Sequence, residues 1–310
     1  GAKTIAAAII PAPIKTAADL VHALRLILGD QGPPPDAEIR ESYLQAASFI
    51  GRDAEFDLLK DALRAALKGE GSGWLIAGES GVGKSRLLEE LRIQGLVRGA
   101  LVLRGQEVAE SRFAYDLWVE PLRRLLLAAP VDEDLAPILR EIIPDVDELV
   151  GYSVRPITSL RGPEAQQRLA LAVVDLFRSY GQPVLLLLED LHWANESLDL
   201  LRYLSEARDL PLLIVGSYRS DEAHDVSVRL PALRTLHLPR LDQQAIARLS
   251  RSMLGAAGEQ PQVVDLLLRE TEGNVFFLVE TVRALAEEAG DLEEIGSRTL
   301  PLQVLAGGVQ

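Results

Sequence analysis

The chain has 310 residues, 48% of them hydrophobic, with no cysteine and a formal net charge of −14 at pH 7. This length supports one substantial α/β core and a smaller second unit, and the missing cysteines exclude disulfides and thiolate metal sites. So acidic a chain lacks the basic footprint of phosphate-backbone binding, no apolar run is long enough to cross a bilayer, and Lys3 followed by 4–10 is too weakly apolar for a signal core; the expectation is a cytoplasmic protein with neither nucleic acid nor membrane as partner.

Residues 1–15 suggest no element. A helix is expected over 16–28, with Thr16 as N-cap and Leu20, Val21, Leu24, Ile27 and Leu28 on one side. GDQGPPP at 29–35 breaks it as a linker, and 36–47 reads as a second short helix. At 49–69, FIGRDAEFDLLKDALRAALKG puts a tight turn at Gly51 before a helix capped by Asp53, with Phe56, Leu59, Leu63 and Leu67 on its buried stripe. Phe49 and Ile50 there are either core residues or the lining of a nucleotide base.

The stretch 73–91, GWLIAGESGVGKSRLLEEL, joins a buried strand at 74–77 to a glycine loop and an amphipathic helix, and 78–85 matches G-x-x-x-x-G-K-[ST] in full. Gly78, Gly81 and Gly83 let backbone N–H groups converge on phosphate oxygens. Lys84 brings a point charge to the outer phosphates, Ser85 offers a hydroxyl to Mg²⁺, and the helix from Lys84 points its N-terminal dipole at the same anion. The cofactor-contacting set is Gly78, Glu79, Ser80, Gly81, Val82, Gly83, Lys84, Ser85 and Arg86, with ATP or ADP and Mg²⁺ as cofactors.

A second strand is expected at 100–103, helices at 113–127 and 134–143, an irregular loop at 151–162, and a helix at 163–180 closed by Gly181 and Pro183. The apolar run 184–188 then ends in Glu189 and Asp190. Ligands bind beyond the carboxyl ends of strands in open α/β sheets, so Glu189 is read as the Mg²⁺ carboxylate, through water, and Asp190 as the group that orients or deprotonates the attacking water. Asn195 caps a helix at 196–206. The strand 210–217 delivers Arg219, whose guanidinium suits a γ-phosphate. From Leu236 the pattern turns helical: Asp242 caps 243–254, Pro261 opens a helix to 269, and Asn274 opens another through 288, together reading as a separate lid. The four histidines show no ligand spacing, and a chain opening on Gly1 and trailing off over 300–310 reads as a piece of a longer protein.

Five blocks, FIGRDAEF, GESGVGKS, LLLLEDLHWANESL, LLIVGSYRS and EGNVFFLVETVRAL, stand in the order and spacing of the Orc1-like AAA ATPase domain of signal-transducing STAND regulators, which the chain resembles over roughly 48–290. The resemblance implies an α/β P-loop NTPase fold with a three-layer parallel sheet and a small C-terminal helical lid. It implies domains at 48–235 (nucleotide-binding) and 236–290 (lid), preceded by a helical linker at 1–47 that looks like the end of a kinase lobe and followed by the start of a further region at 291–310. It implies adenine contacts at Ile50, Gly51, Arg52 and Val275, a γ-phosphate sensor at Arg219, covalently linked partner domains, and an ATP-dependent homo-oligomer. Catalysis is thereby expected from Lys84, Glu189, Asp190 and Arg219, with Ser85 and Glu189 as the metal contacts, in a slow Mg²⁺-dependent ATPase that acts as a regulatory switch. The sequence departs from the family at Glu189, where aspartate is usual, and at Val275, where proline is usual. It also has Phe276 or Phe277 where replication initiators of the wider class carry a γ-phosphate arginine. A DNA-binding ATPase of the ORC type and a non-hydrolysing, nucleotide-stabilised scaffold are the alternatives.

Overall fold

The computed structural model describes residues 50–109, 114–154, 162–223 and 225–289. The helices expected at 16–28 and 36–47, the linker between them, Phe49, most of the loop at 151–162 and the region 291–310 lie outside the described residues. By chain contacts the described residues form two units: an α/β unit, Ala54–Ser80 with Lys84–Leu238, and a helical unit of 50–53, Gly81–Gly83 and 239–289.

The α/β unit follows helix α1 (Asp53–Ala66) with β1 (Ser72–Gly78), α2 (Lys84–Val97) and β2 (Leu101–Gln106). A long crossover then carries α3 (Asp116–Ala128), α4 (Ala136–Leu139), α5 (Val146–Val150) and α6 (Pro163–Tyr180) to β3 (Val184–Glu189). After it come α7 (Glu196–Glu206), β4 (Leu212–Arg219), α8 (Val226–Arg229) and β5 (Arg234–His237). All pairings are parallel and the strand order is β2-β3-β4-β1-β5. The interior strand β3 is buried along its whole length, as its unbroken leucine run requires of a strand covered on both faces.

Alternation along the strands divides the core between those faces. Leu103, Leu186, Leu188 and Ile214 pack in one cluster with Trp118 and Leu122 of α3, Leu176 and Phe177 of α6 and Leu201 of α7. The intervening Val102 and Leu185 face α2, so closely that a Cβ on Gly95 would stand 2.7 Å from Leu185 Cδ2. Each such leucine, fully buried, contributes about 1.5–3 kcal/mol of transfer free energy, so the two faces together fix both the sheet and the helices that flank it.

Several elements differ from the sequence expectation: Asp53, expected to cap the first helix, is its first helical residue, and the strand expected at 210–217 is Leu212–Arg219. The strand expected at 100–103 runs on to Gln106, because parallel pairing with β3 supplies its backbone with partners through Gln106↔Glu189. The helix expected at 134–143 is only Ala136–Leu139, continued as a turn and followed by α5; Pro144 disfavours helical backbone at Ile143. The strand β5 was not anticipated: four residues of mixed polarity, held by pairing with β1. Asn195 stands at the N-cap of α7 with φ −99° and ψ −86°, but its side chain makes no capping hydrogen bond, since caps use extended backbone.

In the helical unit, α9 (Gln243–Leu254), α10 (Pro261–Thr271) and α11 (Val275–Ala289) enclose a core of Ile246, Leu249, Leu267, Leu278 and Val282. The Asp242 carboxylate accepts the Ala245 N–H at 2.7 Å, as its cap role demands, and Asn274 Oδ1 accepts from Phe276 N at 3.1 Å to open α11.

Candidate functional site

The strand β1 delivers Gly78, and the chain turns through residues 79–83 before α2 begins at Lys84. Gly81 and Gly83 have φ of +78° and +100°, the left-handed region where a side chain would be strained. Lys84 folds back on the entry of this loop: its Nζ donates to the carbonyls of Gly78 and Glu79, each at 2.8 Å. Burial lowers the Lys84 pKa, and the Arg219 guanidinium adds to that, against the opposing pull of Asp221, Asp190 and Glu222. Ser85 is exposed on the first turn, and Arg86 pairs with Glu90 at 2.7 Å along the helix.

Parallel pairing brings three more expected residues to the carboxyl edge of the same sheet. Glu189 ends β3 and is 6% exposed; its Oε1 accepts from Arg104 Nη2 at 2.8 Å. Asp190 follows with φ +60°, a left-handed conformation in a non-glycine residue, and its Oδ2 accepts from Gln106 Nε2 at 2.9 Å. Arg219 ends β4 directly opposite Gly78 of β1. Its guanidinium pairs with Glu222, which raises its pKa, and lies 5.6 Å from the centre of the Trp193 ring. His192 is a half-buried residue with its ring enclosed, whose two ring nitrogens have no hydrogen-bond partner among the described residues, with Nε2 3.4 Å from Glu222 Oε2; burial lowers its pKa.

The remaining expected contacts gather in the helical unit. Arg52, 5% exposed, donates from Nη2 to the Val82 carbonyl at 3.2 Å and to Pro239 O. Ile50 and Val275 pack on the core of that unit, and a Cβ on Gly51 would stand 2.9 Å from that of Ala245. The Phe276 N–H donates to Gly81 O at 3.0 Å.

Sequence reading missed Arg104, Gln106, Trp193 and Glu222. The last two could have been found, since they sit within three residues of Asp190 and Arg219. Nothing local marks Arg104 and Gln106, which meet the acidic pair only through the β2–β3 register.

A parallel sheet with this strand order, a complete glycine loop between β1 and α2, and acids on β3 two strands away define a P-loop nucleoside triphosphatase fold. The chain belongs to the AAA ATPase domain family, whose model matches residues 48–215, more than half of it. No curated protein matches it in sequence. Among solved structures it is similar to the Drosophila ORC bound to DNA, at 14% identity with a TM-score of 0.53, over 96% of this chain and 71% of that one. It is also similar to the Aeropyrum pernix ORC1 protein in complex with DNA, at 20% identity over 81% of this chain and 65% of that one, TM-score 0.46. A STAND protein with a tetratricopeptide repeat sensor from Pyrococcus horikoshii matches at 16% identity over 73% of this chain and 28% of that one, TM-score 0.41. Among the described residues no helix is long and apolar enough to cross a membrane.

Proposed function

We propose that this chain is an ATP-binding regulatory switch with slow Mg²⁺-dependent hydrolysis, working inside a multidomain signalling protein of the cytoplasm. The observation that carries the reading is the convergence of Lys84, the Glu189–Asp190 pair and Arg219 at the carboxyl ends of three adjacent strands, β1, β3 and β4. In it the loop of residues 78–85 cradles the phosphates with its N–H groups, and Lys84 leaves the Gly78 and Glu79 carbonyls to meet the outer ones. Arg219, released from Glu222, reads the γ-phosphate. Asp190, held by Gln106, positions the attacking water.

Mg²⁺ suits the donors present. Ser85 and Glu189 offer oxygen only, and among the described residues no cluster of three His, Asp or Glu side chains is placed to cage a metal. An ion that prefers phosphate and water oxygens is what so sparse a protein contribution favours. Bound there it would neutralise phosphate charge. The adenine side of the site is assigned to Ile50, Gly51, Arg52 and Val275 on the resemblance of the FIGRDAEF and EGNVFFLVE blocks. Flanking domains and ATP-dependent self-association belong to the same proposal. The ORC-like likeness does not extend to DNA binding in this reading, because a chain of net charge −14 would meet a polyanion with repulsion.

The test is a pair of variants read by equilibrium binding and single-turnover kinetics. Asp190→Asn should bind ATP like the wild type and lose at least about a hundredfold in turnover, while Arg219→Ala should bind ADP normally and ATP about tenfold more weakly. Equal hydrolysis by Asp190→Asn and wild type removes Asp190 from the chemistry. If no variant turns over and the wild type does not either, the nucleotide is a structural ligand only.

A further inference from the structure

We propose that Arg104 gates the metal-facing carboxylate: its guanidinium holds Glu189 until a divalent cation arrives, and then passes to Glu89. This rests on the reading of Glu189 as the Mg²⁺ carboxylate and says what that carboxylate does before metal reaches it.

The Glu189 side chain is 8% exposed, and a carboxylate so far from water is strongly disfavoured unless paired. Arg104 Nη2, at 2.8 Å, supplies the pairing. Arg104 itself is half exposed, so its long side chain is free to swing without leaving water. A receiver is already in place: Arg104 Nη1 stands 3.5 Å from Glu89 Oε2 on α2. Glu89 is fixed there by Arg92, whose Nε lies 2.9 Å from both carboxylate oxygens and whose Nη2 donates to Oε1 at 2.7 Å. Arg104 thus spans two carboxylates, one buried at the end of β3 and one held ready on the helix that follows the glycine loop.

A dication held at Glu189, through water, stands close enough to the Arg104 guanidinium to repel it, and that repulsion weakens the pairing of Arg104 with Glu189. Metal at Glu189 therefore shifts Arg104 toward Glu89, whose carboxylate it already reaches. The arrangement raises the metal concentration at which the site fills. It also ties filling to the movement of a side chain on the edge strand β2, whose neighbouring Gly105 packs against the backbone of α3 at Leu117 O.

The experiment is a Mg²⁺ titration of the full chain at fixed fluorescent ATP analogue, reading binding, with EDTA samples giving metal-free binding. Arg104→Gln should lower the Mg²⁺ concentration for half-maximal binding by about three- to tenfold, with metal-free binding unchanged, and Arg104→Lys should fall between it and the wild type. Glu89→Gln, which removes the receiver, should shift the midpoint the opposite way by about two- to fivefold. An unchanged or raised midpoint in Arg104→Gln overturns the gate, as does an unchanged or lowered midpoint in Glu89→Gln. Should Arg104→Gln fail to fold, the sign in Glu89→Gln decides alone. Glu189→Gln separates the two levels: if it too leaves the Mg²⁺ dependence untouched, the metal reading of Glu189 has failed.

Discussion

The carboxyl ends of β1 and β2 lie along one edge of one sheet and are built in opposite ways. At β1 the work is done by backbone: a glycine loop whose φ values of +78° and +100° turn the chain, and a lysine bonded to two carbonyls of that same loop. At β2 it is done by side chains, Arg104 and Gln106, one strand position apart in alternation and reaching the two acids of β3. The first is a device of consecutive residues. The second exists only once strands far apart in the chain have paired in the right register, since a slip of one residue would turn both side chains to the opposite face.

The largest effect should come from the β1 end. ATP with Mg²⁺ at about a hundred times its dissociation constant stabilises a binding fold by about 2.7 kcal/mol, or roughly 5–10 °C in melting temperature for a domain of this size. Lys84→Ala should erase most of that shift in a thermal melt; a mutant that keeps the shift would show that the loop binds without its lysine.

Next comes a test of the β2 end by space alone. A Cβ on Gly105 would run into Leu117 O, a backbone atom that cannot step aside, so Gly105→Ala should destabilise the chain by about 1–3 kcal/mol in urea unfolding. Gly83, by contrast, has nothing within 4 Å of its Cβ position but a φ of +100°, so Gly83→Ala should lose about 1–2 kcal/mol from backbone strain alone. Equal losses at the two glycines would erase the distinction between a crowded strand and a bent loop.

Gln106→Ala sharpens the comparison within β2. It should leave stability within about 1 kcal/mol, because the lost hydrogen bond is exposed, and lower turnover about tenfold at unchanged ATP affinity and unchanged Mg²⁺ midpoint. A shifted midpoint in this variant would mean that Arg104 and Gln106 act as one unit.

The smallest effect is a pH signature at Glu107, the buried residue that follows β2. Burial raises its pKa, partly offset by the Ser197 hydroxyl and the Val108 N–H. A carboxyl whose folded pKa is raised takes up protons on folding. Its contribution to stability is therefore full below the unfolded value of about 4.3 and is lost as pH rises through the folded value. Glu107→Gln should raise the melting temperature at pH 7 by on the order of a degree, and the gain should vanish near pH 4. A constant gain across that range would assign the effect to packing.

The sequence made the β1 end legible because everything there is contiguous: strand 74–77, loop and helix follow one another, and the glycines announce the turn. The acidic pair was legible for the same reason, since Glu189 and Asp190 close an unbroken apolar run. What could not be read was any partner supplied by a different strand. The expected strand stopped at Leu103 because Arg104, Gly105 and Gln106 look like loop, and only pairing with β3 keeps them extended. β5 escaped for a related reason, its four residues carrying too short an alternation to outweigh the helical pattern that follows. The caps divide similarly: Asp242 and Asn274 bond to the next turn as their residue types suggest, whereas Asn195 has the residue type and lacks the backbone angles.

The strand order also sets a timetable for synthesis. Both neighbours of β1 are downstream of it, and the nearer in sequence, β4, is reached more than a hundred residues later, so the phosphate-loop strand leaves the ribosome with no strand to pair with. At about 5–20 residues per second its apolar Leu75, Ile76 and Ala77 wait on the order of ten seconds, while β2 and β3 already have each other. A nascent chain arrested before Leu212 should therefore hold strand β1 accessible to protease, and extension past Arg219 should protect that strand in a single step.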